Sequence, residues 1–251
     1  MPRLLVIAGT DCSGGAGLTR DTTVASAFGV EVAPVVTVVT AQTNAQFVDQ
    51  QAVAAPVVLR QLDAAAQSGA LDAVKIGALG TTETAQAVAE WLAERSIPTV
   101  MDPVLKSSSG GALIRGGLPG DLLAQVDLLT PNLPEAAALT GQALAADTDA
   151  MARQAGQMQS MGIGAVLIKG GHGLGAQSVD HLYHRGQRRA FEAPRLRVTR
   201  RGTGCTLATA IACHLIQGAA LDDACGKAKL FVQDWLVHSS DQACSRATRG
   251  R

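Results

Sequence analysis

The sequence predicts a single α/β domain: a central, mostly parallel sheet with helices on both faces. Three observations carry that expectation. Short Val/Ile/Leu runs recur at 4–8, 35–39, 74–76, 99–101, 127–130 and 165–168, as strands buried on both faces require. Helical patterns fill the gaps and the end of the chain, at 82–95, 151–161, 203–216 and 221–238; in the first, Ala85, Val88, Trp91 and Leu92 share one face. The length of 251 residues suits one domain, large enough to bury about three quarters of its unfolded surface.

The first run, 4–8, is too short for a signal peptide or a membrane span and reads as a strand entering a turn. That turn is Gly9-Thr10-Asp11-Cys12-Ser13-Gly14-Gly15-Ala16-Gly17, whose glycines permit close backbone approach to a ligand. It is neither a P-loop nor a dinucleotide fingerprint, and an ordinary strand-to-helix turn has the same composition. Asp21 lies one helical turn beyond it, and Gln42 follows the second run. Near the end of the chain, 179–184, the turn Arg185-Gly186 and 188–192 predict a β-hairpin. The domain is expected to span 1–238, with 239–251 a frayed polar tail.

Twenty-one basic residues balance 21 acidic ones, which argues against a nucleic-acid or membrane-surface binder. The five cysteines form no zinc spacing, and their odd number suggests reduced thiols and a cytoplasmic setting.

Ligands of open α/β sheets bind at the carboxyl ends of strands, and three more motifs fall there. Thr130-Pro131-Asn132-Leu133-Pro134-Glu135 sets an amide and a carboxylate where they can hold the water shell of Mg²⁺; the same pair also reads as a capping box. Lys169-Gly170-Gly171-His172 presents a lysine to a phosphate, or to solvent as a turn residue. Gly202-Thr203-Gly204-Cys205-Thr206 opens a helix whose free N–H groups form an anion hole, and the helix dipole is expected to lower the Cys205 pKa. A buried, inert cysteine at a helix start is the competing description.

In this order and at these strand ends, the motifs resemble the ribokinase-like superfamily. Within it they are similar to the hydroxymethylpyrimidine/phosphomethylpyrimidine kinases of thiamin biosynthesis. The carrying residues are 8–17, Asp21, 40–42, Lys75-Ile76-Gly77-Ala78-Leu79, 101–104, 130–136, 169–172 and 201–206. The resemblance implies ATP and Mg²⁺ as cofactors and a heteroaromatic acceptor such as 4-amino-5-hydroxymethyl-2-methylpyrimidine or its monophosphate. It implies acceptor contacts from Gly9, Asp21, Gln42, Ala78 and Val104. Asn132, Glu135, Lys169 and Thr203 would hold the nucleotide, with Asp102 and Glu135 on magnesium through water. Lys169, Gly202, Gly204 and Cys205 would act in the transfer, Cys205 as the base. The resemblance also implies a homodimer, with a small β-flap as lid and dimer contact.

Two departures bear on the acceptor. Ala78 stands where these kinases often have Met, and Arg201 replaces a usual His as a cation beside the anion hole, favouring an acceptor that already carries phosphate. A pyridoxal/pyridoxine kinase and a non-catalytic pyrimidine-binding paralogue are the alternatives.

Overall fold

The structure, a computed structural model, describes residues 1–106, 111, 113–171, 175–196, 198 and 200–248, with side chains to residue 238. His172 of the lysine motif and the end of the tail lie outside the described residues. In chain order the elements are β1 (Arg3–Asp11), α1 (Gly17–Ala27), β2 (Glu31–Gln42), β3 (Phe47–Ala52), α2 (Ala55–Gln67), β4 (Ala73–Ile76), β5 (Gly80–Thr81), α3 (Thr82–Ala93), β6 (Thr99–Met101), β7 (Ile114–Arg115), α4 (Gly120–Leu123), β8 (Leu128–Leu129), α5 (Leu133–Thr140), α6 (Thr148–Ser160), β9 (Ala165–Ile168), β10 (Gln177–His184), β11 (Gln187–Pro194), α7 (Thr203–Ile216) and α8 (Leu221–Thr248).

The main sheet runs β11-β10-β9-β8-β6-β4-β1-β2-β3. Every pairing from β9 to β2 is parallel, so the expected architecture is present. The period-2 alternation of β1 divides the core. Leu5 and Ile7 face α2 to α6, against Val58, Leu62, Val88 and Met158. Leu4, Val6 and Ala8 face α1, α7 and α8, against Val24, Leu207, Ile211 and Ala228. Both strand faces are covered, which explains the continuous apolar runs in the sequence.

The predicted hairpin is present as β10–β11 and extends the main sheet at its edge, antiparallel to β9. Two features differ from the sequence reading. The hairpin that borders the ligand cavity is β2–β3, through Val38, Thr40 and Gln42. And helical backbone continues past 238 to Thr248, because neither Gly nor Pro occurs to stop it until Gly250.

Candidate active site

A cavity of about 260 Å³ opens where the parallel strands end. The β1/β2 register slips between Ala8 and Thr10, and Gly9 sits at that slip. A Cβ on Gly9 would come within 2.6 Å of Val38 Cγ1, so the strands approach this closely only with glycine there. Gly9, Gln42, Ala78 and Val104 all line the cavity. Thr37 Oγ1 donates to the Ala78 carbonyl, and Gln42 Nε2 donates to Thr40 Oγ1 at 2.8 Å.

Across the cavity, β8 and β9 carry the two other strand-end motifs, and a bridge between Asn132 and Lys169 prolongs their pairing to the site. Asn132 Oδ1 accepts from the Glu135 N–H at 2.9 Å, and Glu135 Oε2 accepts from the Asn132 N–H at 2.8 Å. The capping box is therefore real, and both residues also line the cavity, so the two descriptions coexist. Lys169 Nζ lies 2.7 Å from Asp102 Oδ1 and 3.9 Å from Glu135 Oε2. Burial opposes the Lys169 charge, but Asp102 and Glu135 outweigh it and its pKa is raised. Burial raises the Glu135 carboxyl as well, against the pull of Lys169.

The start of α7 closes the site. Gly202 is in the left-handed region at φ +77°, and a Cβ there would strike the Gly15 carbonyl oxygen, so the first glycine-rich loop and the α7 start interlock. A Cβ on Gly204 would come within 2.7 Å of Asp102 Oδ2 and 3.2 Å of Lys169 Nζ. Glycine thus lets the helix N-terminus meet the lysine–carboxylate pair directly, with Thr203 and Cys205 beside it on the cavity wall.

Three expectations need correction. Asp21 is fully buried and does not line the cavity. It binds Lys75 Nζ at 2.7 Å and accepts from Thr209 Oγ1 at 2.8 Å, so Lys75, not Asp21, reaches the cavity wall. Burial opposes the Lys75 charge, and Asp21 more than offsets that, raising its pKa. Second, the Cys205 thiol is not acidified. Burial pushes it up to about 11, against the pull of Lys75, so desolvation outweighs the helix dipole. Third, Arg201 adds no cation to the cavity. It pairs with Asp11 Oδ2 at 3.0 Å and donates to Ser13 Oγ and the Thr43 carbonyl, tying loops together.

Sequence reasoning gave no role to Lys75, Asp11 or Arg200, all of which line the cavity. For Lys75 the signal was present: a lone lysine inside an otherwise apolar strand, Ala73–Ile76.

A cavity at the carboxyl edge of a parallel sheet, holding a lysine between two carboxylates and a glycine-rich helix start, is the equipment of a small-molecule kinase. The phosphomethylpyrimidine kinase family profile matches residues 11–245. A hydroxymethylpyrimidine/phosphomethylpyrimidine kinase of Rhizobium meliloti is 38% identical, over 98% of this chain and 93% of the relative. The crystal structure of a phosphomethylpyrimidine kinase from Clostridium difficile superimposes with a TM-score of 0.80 at 29% identity, over 93% of this chain and 99% of that one. A pyridoxal kinase from Staphylococcus aureus in complex with AMP-PCP and pyridoxal gives 0.82 at 26% identity, over 93% and 87%. The chain belongs to the phosphomethylpyrimidine kinase family, and it is a phosphotransferase.

Proposed function

We propose that this enzyme transfers the γ-phosphoryl group of ATP to 4-amino-5-hydroxymethyl-2-methylpyrimidine and to its monophosphate, in thiamin biosynthesis. The observation that carries the reading is the single cavity in which Gln42 and Ala78 face Lys169, Asp102, Glu135 and the α7 start. Gln42 supplies an amide with donor and acceptor, suited to a ring nitrogen beside an exocyclic amine. Lys169 and the N–H groups at 202–205 neutralise charge on the transferring phosphoryl group, whose loose transition state needs positioning more than base strength. Cys205, in its thiolate form, takes the proton of the hydroxymethyl group. A phosphate acceptor needs no base, so one site serves both steps.

Magnesium fits this site through water. Asp102 Oδ1 is held by Lys169 and Glu135 Oε2 by the Asn132 N–H, and among the described residues no group of three acidic, His or Cys side chains forms a direct cage. When bound, Mg²⁺ supplies further neutralisation of phosphate charge.

The same reading makes 1–238 one kinase domain working in the cytoplasm as a homodimer. Free described cysteines and the lack, among the described residues, of a helix able to cross a membrane support the compartment. Val39 and Val48, exposed on β2 and on the edge strand β3, support an assembly there. A pyridoxal kinase is the second reading, favoured by the small Ala78 side chain, which leaves room for a larger ring, and by the pyridoxal kinase fold likeness. An ADP-release assay with each pyrimidine tests the proposal: turnover of both that disappears with EDTA is expected. ADP release with neither would refute it.

A further inference from the structure

A second cavity, of about 340 Å³, adjoins the first on the α8 side. Lys169, Gly171, Arg200, Thr203 and Gly204 line both, so they mark the junction between the two. On the kinase reading, on which this inference rests, acceptor and nucleotide meet through that junction. Two cations stand there. Lys169 is held between Asp102 and Glu135, which together offset its charge. Arg200 differs: among the described residues it forms no ion pair with a carboxylate. Its guanidinium instead lies over the Trp235 ring, 4.9 Å from the centroid.

Trp235 carries a second guanidinium, that of Arg20, at 4.8 Å. Two like charges on one indole repel each other. Burial and then the neighbouring Arg200 pull the Arg20 pKa down, and Arg20 Nε is buried without a hydrogen-bond partner. Arg20 is fixed from behind, its stem packed where a Cβ on Gly202 would lie. Arg200 is exposed, with its backbone anchored at the α7 start by the Thr203 hydroxyl, 2.9 Å from the Arg200 carbonyl. A cation held by an aromatic face, pushed by a neighbour of its own sign and exposed to solvent, is poised for an anion. A planar guanidinium meets a phosphate through two parallel hydrogen bonds, a stronger contact than an indole face gives at an exposed site.

We propose that Arg200 binds the polyphosphate of the nucleotide at the junction of the two cavities, with Trp235 and Arg20 as positioning residues. Arg200 then adds positive charge to that of Lys169, which Asp102 and Glu135 partly offset. The test is calorimetric titration of wild type, Arg200→Ala, Arg200→Lys and Trp235→Leu with AMP-PNP and with adenosine, which lacks phosphates. Arg200 is exposed, so its replacement leaves the fold intact. We expect Arg200→Ala to weaken AMP-PNP by about tenfold or more while adenosine stays within about twofold. Arg200→Lys should recover part of the loss. Trp235→Leu should weaken AMP-PNP less than Arg200→Ala, and add nothing in the double variant. Equal losses for AMP-PNP and adenosine, or unchanged AMP-PNP affinity in Arg200→Ala, overturn the role of Arg200 and leave the kinase reading standing. Wild type that binds no AMP-PNP overturns both.

Discussion

Exchanging Asp21 for Asn separates two roles: contact with the acceptor, expected from sequence, and support of Lys75, seen in the structure. Asp21 and Lys75 are both 0% exposed and their charges meet at 2.7 Å, while Thr209 donates to the other carboxylate oxygen. Removing one partner leaves a buried charge with nothing to balance it, a loss of about 3–5 kcal/mol. In a domain of this size each kcal/mol moves Tm by about 2–4 °C, so Tm should fall by roughly 6–20 °C. Lys75→Met should lose a comparable amount. The double variant Asp21→Asn/Lys75→Met should recover most of it, because no lone charge remains. Scanning calorimetry without ligands measures all three. An Asp21→Asn variant with wild-type Tm and only a raised acceptor KM would refute the reasoning and return Asp21 to the acceptor.

Other outcomes follow from the same geometry. With the Cys205 thiol near 11, phosphorylation of the alcohol should climb with pH from 7 to 10 while that of the monophosphate stays flat; a flat profile for both removes the base role. Burial also raises Cys213 to about 12, from an ordinary value of 9.0. Both thiols keep their protons in the folded state where the unfolded chain loses them. Their stabilising contribution is therefore complete below about pH 9 and lost as pH rises toward 11 and 12. Tm should decline over that range, and less so in Cys213→Ala; identical declines would assign the loss elsewhere. Lys169→Ala should lower kcat on both acceptors by about 10²–10³-fold, with poor rescue by Lys169→Arg, and unchanged kcat and ATP KM would reduce Lys169 to a turn residue. Ala78→Met should fill space at the cavity wall and lower KM for the small pyrimidine by roughly tenfold at most; a raised KM would show the space is already used.

The strand ends were legible because strands buried on both faces leave continuous apolar runs, and each run stops where a cavity-lining residue begins. Gly9, Asp102, Asn132 and Lys169 were found that way. The edge strand β3, Phe-Val-Asp-Gln-Gln-Ala, was missed because one open side leaves no such run. The helix α2 was missed too, although Pro56 in its first turn and Val58 and Leu62 on its buried side were signals. Asp21 was found but misplaced, since a sequence shows that a carboxylate follows a loop, not which way it points. The thiol of Cys205 went wrong in sign: a helix start is visible in sequence, but the packing that desolvates it is not. Arg201 looks like an available cation in the sequence because its partner Asp11 lies far away in the chain and reaches it only in the folded protein.

Acceptance of the pyrimidine alcohol and its monophosphate in one cavity is measured by kcat/KM for hydroxymethylpyrimidine, its monophosphate and pyridoxal, side by side with MgATP. Both pyrimidines are expected to exceed pyridoxal, and Lys169→Ala to lower both together. A higher kcat/KM for pyridoxal than for either pyrimidine would contradict it.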